Sequence, residues 1–176
     1  MPGLAAPTPA QVVPGQYITG ALWNANVYNG LTFLANAPFF IGQQQVVQSV
    51  ANGTWAVLTF DSEIIDTYGG HSTVSNTSRY TCQVAGWYRV GGRAAFATNG
   101  TGSRGARVHV NGAFIQGAAN LLGAGTLNGI VEVSHLLQLA VGDYVEIAGG
   151  QNCGAALSTA FANEAASMMY VIWEHA

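Results

Sequence analysis

The chain has 176 residues, of which 7% are charged and 49% apolar, with a formal net charge of −3. Disorder needs high charge and low hydrophobicity, and a typical globular chain carries about 25% charged residues, so this composition excludes an unstructured polymer. It predicts one folded domain of ordinary size with room for an added arm, and a surface built from Gly, Ala, Asn, Gln, Ser and Thr.

Lysine is absent and the five arginines all fall between Arg79 and Arg107, which leaves no general basic surface for nucleic acid. No apolar run approaches the ~20 residues that a helix needs to span a bilayer. A charge-poor surface is a solubility risk for a free monomer, whereas interface cores are depleted in charge because charges are costly to desolvate. The composition therefore predicts a chain that lives inside an assembly, the alternative being a neutral secreted monomer.

Residues 1–17 hold four of the five prolines, Pro2, Pro7, Pro9 and Pro14, and read as an extended arm. The same stretch has neither a basic n-region nor an apolar h-region, so no signal peptide is expected. Trp23, Val27, Leu31 and Leu34 then recur at spacings of four, four and three, one face of a helix over about 20–35. Thr19 can cap its start and Pro38 stops it. The first charged side chain is Asp61, so the arm, the helix and the Phe39-Phe40 pair that follows are uncharged throughout.

From residue 43 the pattern changes to strands. "QQQVVQSV" and "TWAVLTF" are short β-prone runs parted by the turn residues "ANG". "SRYTCQV" leads into "GWYRVGGRAAFAT". In "ARVHVNGAFIQG" Asn111-Gly112 is the strongest hairpin signal, because both central residues of a type I′ turn need positive φ. "NGIVEVSHLLQL", "GDYVEIAG" and "SMMYVIWEH" follow. Eight to ten short strands at regular spacing predict an all-β fold, a sandwich or jelly roll over 43–176, with 1–42 as a separate docking segment.

The stretch 60–90, with Tyr80, Gly86, Trp87 and Tyr88, resembles the opening of the complement-globular-head and tumour-necrosis-factor-like jelly rolls. "VHVNGAFIQG", "LQLAVGDYVEI" with its Gly142-Asp143 turn, and "MMYVIW" match later landmarks of that family in order. "GQYITGALWNANVYNGLTFLANAP" resembles the N-terminal segment of small virion proteins of tailed phages that infect actinobacteria. The chain departs from the animal families in lacking a collagen-like Gly-X-Y stalk. The resemblance implies a homotrimer packed around an axis through an apolar, aromatic face, for which Phe114, Tyr144 and Tyr170 are candidates, each equally readable as core.

Catalytic signals are weak. There is no Gly-x-Ser-x-Gly elbow, and His71, His109, His135 and His175 lack metal-ligand spacing, so no catalytic, cofactor or metal residue is expected and the chain is read as a non-enzyme. His109 reads as a surface or interface histidine. Asp61, Glu63 and Asp66 read as a solvated loop rather than a Ca²⁺ site, and Asn52, Asn76 and Asn99 as turn residues rather than glycosylation acceptors. Cys82 and Cys153 read as buried free thiols, although a disulfide between them is open. The arginine cluster reads as pairing with the chain's own acids, such as Glu132 or Glu146, the alternative being an acidic partner or an anionic glycan.

Together these readings lead to the expectation of a trimeric capsid decoration protein on the surface of a phage particle. It would dock on a major capsid protein through Trp23, Val27, Leu31, Leu34, Phe39 and Phe40, with no nucleic acid, membrane or cofactor involved. The alternative is a tail-tip or fibre-head protein that contacts tail proteins and recognises a host surface glycan.

Overall fold

The computed structural model describes residues 5–11 and 13–176. The expected arm at 1–4 and 12 lies outside these residues. The rest of it runs without helix or strand to a turn at Pro14-Gly15, and the Ala10 N–H reaches the Asn26 side chain at 2.6 Å.

The helix expected over 20–35 is present, in three pieces. Thr19 caps it, its hydroxyl accepting from the Leu22 N–H at 3.2 Å. It is α-helical over α1 (Gly20–Trp23), widens to a π turn over Asn24–Tyr28, and resumes as α2 (Asn29–Ala35). The widening has a local cause. Asn26 turns its side-chain amide back onto the Leu22 carbonyl at 2.9 Å, competing with the backbone ladder inside the helix.

The strands are β1 (Phe39–Gln43), β2 (Ser49–Val50), β3 (Thr54–Val57), β4 (Ser62–Asp66), β5 (Tyr80–Thr81), β6 (Gly86–Phe96), β7 (Ser103–Val110), β8 (Ala113–Gly123), β9 (Gly129–Leu139), β10 (Tyr144–Gln151), β11 (Leu157–Ser158), β12 (Phe161–Ala162), β13 (Ala165–Ala166) and β14 (Met168–His175). One antiparallel sheet has the order β4-β1-β14-β6-β9 and a second the order β3-β10-β7-β8, with β5 added alongside β10. The two face each other as a jelly-roll sandwich, filled by Phe40, Leu58, Phe60, Tyr80, Tyr88, Val90, Phe96, Val108, Val145, Ile147, Met169 and Val171, all fully buried. Asn111 and Gly112 both take positive φ, at 51° and 81°, and turn β7 into β8 as the dipeptide predicts.

Three placements differ from the sequence reading. The boundary expected at residue 42 falls instead at Pro38, because β1 sits inside the first sheet, paired with β14 on one side and β4 on the other. Most of "QQQVVQSV" is loop, pinned by the Asp61 carboxylate, which accepts from the Gln45 and Val46 N–H groups at 2.6 and 3.0 Å. His109 is buried, not superficial.

Cys82 and Cys153 are both free and buried. The acidic trio is absorbed by local structure. Asp66 accepts from the N–H groups of Tyr68, Gly69 and His71, and Glu63 pairs with His71 at 2.8 Å. Of the three sequon asparagines, Asn76 is left-handed and Asn99 accepts from the Thr101 N–H within its own turn, while Asn52 accepts from the Gly154 N–H of a loop distant in sequence.

Candidate assembly interface

Strand alternation decides what each sheet shows to the outside. In β1, Phe40 points into the sandwich, stacked on His71 and Tyr80 with ring centroids 4.8 and 5.2 Å apart. Phe39 and Ile41 consequently point out. In β14, Met169 and Val171 point in, while Met168, Tyr170 and Ile172 point out. Gly91, opposite Tyr170 across β6, has no side chain, so the phenol lies across the strand where a Cβ would meet its hydroxyl.

These outward residues floor a groove of ≈ 630 Å³ along the first sheet. Its charged rim holds Arg89, Arg93 and Glu132. Arg89 pairs with Glu174 at 2.8 Å, and the Arg93 Nε donates to the Ala166 carbonyl at 2.9 Å. The floor is apolar, which lowers the desolvation cost of covering it, while Glu132 and Arg93 keep charge at the rim.

A second apolar region lies around the other end of the sandwich, where β8 and β9 are edge strands. The two edges are tied by the Asn120 side chain, which donates to the Glu132 carbonyl at 2.9 Å. Leu122 and Leu136 stand 48% and 56% exposed there. Eleven residues long and open at nearly every position, β8 is the kind of edge that natural proteins cover.

The N-terminal helix carries the third. Trp23, Leu31 and Leu34 are exposed at 53%, 63% and 66%, joined by Tyr28, with Val27 half-buried. What the spacing did not reveal is Phe33. It is buried edge-to-face on Trp173 of β14, ring centroids 4.8 Å apart, and fastens the helix to the sandwich. The helix thus turns one aromatic to its own domain and leaves the predicted stripe uncovered.

Of the six residues expected to dock, Trp23, Val27, Leu31 and Leu34 share the helix. Phe39 lies on the first-sheet groove instead, and Phe40 belongs to the core and has no exposed surface. Of the three axis candidates, only Tyr170 is on that groove. Tyr144 and Phe114 lie on the outer face of the second sheet.

That outer face gathers arginine and aromatic side chains. Arg79 covers the Tyr144 ring at 4.1 Å and reaches buried Glu146 at 3.2 Å. Glu146 is thereby paired, as expected from sequence, and Glu132 has no ion pair among the described residues. The Trp55 indole crosses the β10 and β7 backbones at Gly150 and Gly105, where a Cβ would stand 2.6 and 2.5 Å from the ring. Arg107 stacks over that indole at 4.4 Å. His109 is held below its ordinary pKa of 6.5 by burial and by neighbouring Arg107, with Glu146 opposing.

Among the described residues no group of three or more His, Cys, Asp and Glu side chains is arranged to hold a metal ion, and no helix is long and apolar enough to cross a membrane.

A sandwich of this strand order defines an all-β jelly-roll protein. Solved structures share it: the globular domain of the zebrafish complement 1qA protein is 15% identical, covering 78% of this chain and 98% of that one at a TM-score of 0.57. Murine APRIL in crystals at pH 5.0 is 9% identical over the same shares at 0.59, and at pH 8.0 it is 12% identical at 0.54. At such identities the likeness establishes the fold alone. No family model and no curated protein matches the chain.

Proposed function

We propose that this protein is a virion structural component, a homotrimeric jelly roll that decorates a phage capsid shell and fastens to it through its N-terminal helix. The observation that carries the reading is the uncovered stripe of Trp23, Tyr28, Leu31 and Leu34, held by Phe33 on a β-sandwich whose own core is complete without it. Each such side chain fully buried against a partner is worth about 1.5–3 kcal/mol before the costs of association.

Self-association is supported by two different apolar surfaces on one chain, the first-sheet groove and the β8–β9 edge. Contact between unlike surfaces is heterologous, and repeated about an axis it closes a ring. The number three comes from the jelly-roll resemblance. Three linked helices then face three shell subunits at once, and avidity multiplies a weak single contact. The protein acts by binding and stabilising; no step of chemistry is assigned to it.

Copy number on purified particles tests this reading. Decoration of the head requires one trimer at each of many equivalent lattice positions, whereas a tail protein is present as a single ring or a few.

A further inference from the structure

Four of the five arginines reach an oxygen acceptor within the chain. Arg79 reaches Glu146 and Arg89 reaches Glu174, while Arg93 and Arg104 reach backbone carbonyls. Arg107 reaches none among the described residues. Its Nε donates to the His109 Nε2 at 2.8 Å, and its guanidinium lies 4.4 Å from the Trp55 centroid and 5.3 Å from that of Phe114. The two rings and the histidine fix where the group sits, and its Nη donors meet no carboxylate or carbonyl of the described residues. A guanidinium held in this way presents a planar fork that matches a carboxylate with two parallel hydrogen bonds.

The surroundings select the source of that carboxylate. Phe114 and Leu121 stand 62% and 68% exposed on the same face, Leu121 beside the Trp55 ring above Gly105. Aromatic, arginine and apolar side chains on one shallow face are the composition of a protein-binding hot spot. We propose that the Trp55–Arg107–Phe114 cluster is a second docking site, which takes an Asp or Glu flanked by apolar residues from a partner protein. It lies on the outer face of the second sheet, next to the β8 edge but away from the helix and the first-sheet groove, and does not depend on the shell-binding reading.

The test is calorimetric titration of the full-length protein with a short Glu-Leu repeat peptide at low salt, a Gln-Leu repeat serving as control. The Glu peptide should bind and the Gln peptide should not. Arg107→Gln should weaken binding by about tenfold or more, and Arg107→Lys should recover only part of it, because a lysine has no fork. Phe114→Ser, at an exposed position that leaves the core intact, should weaken binding severalfold. The proposal is overturned if neither peptide binds, if both bind equally, or if Arg107→Gln binds like the parent while still folded. It is also overturned if polygalacturonate binds where the Glu peptide does not. A drop in the oligomeric mass of Arg107→Gln would assign Arg107 to self-association and equally overturn it.

Discussion

At the scale of single residues, glycines and one histidine make the sharpest predictions. Gly150 and Gly105 exist so that the Trp55 indole can rest on two strands. Gly150→Ala puts a Cβ against ring carbons that have backbone beneath them, and overpacking of this kind costs about 1–3 kcal/mol, read as a lower melting temperature. His109 is buried, and burial with Arg107 beside it disfavours its charged form. The unfolded chain therefore takes up the proton first as pH falls, so this group's stabilisation is present above 6.5 and is lost below it. Chemical denaturation of the parent should show stability falling through that range, and His109→Gln should flatten the fall. The strand that carries His109, and its outward face, were legible from the alternation in "ARVHVNG". Its burial was not legible, because the side chains that cover it come from Arg107, two residues back, and from Glu146 on a strand far along the chain.

At the scale of elements, the helix was legible from apolar spacing and a capping threonine, since both signals are local. Which face meets the domain was not. Phe33 lies off the predicted stripe, and its partner Trp173 is distant in sequence. Phe33→Ala should release the helix from the sandwich, with faster amide exchange over residues 20–35 and slow exchange retained in β6 and β14. Loss of protection throughout would mean instead that the helix is part of the core. The boundary at Pro38 illustrates the same limit. In "PFF" both residues are aromatic, so composition cannot say which points inward; pairing of β1 with β14 decides it, and that pairing spans most of the chain.

At the scale of the whole molecule, the jelly roll was readable because turns, alternation and the Asn111-Gly112 hairpin recur along the sequence, and a distributed pattern survives errors in any one strand. The surfaces were only half readable. Low charge predicts an interface without saying where; which side chains face out depends on strand parity, which puts Tyr170 on the first-sheet groove with Ile41, Met168 and Ile172, and sends Phe114 and Tyr144 to the opposite sheet. If the groove joins subunits, light scattering of the parent should give the mass of three chains, and Ile172→Arg should give monomers that remain folded, since a charge on the groove floor is costly only when covered.

The central claim is that the exposed helix stripe binds the shell. It is tested most directly by the occupancy of undecorated shells by the full-length chain carrying Trp23→Ser, Leu31→Ser and Leu34→Ser together. These positions are exposed, so each change should alter stability by no more than about 0.5 kcal/mol and leave the oligomer intact. The account predicts that such trimers fail to occupy the shell at concentrations where the parent saturates it. Saturation indistinguishable from the parent would contradict it.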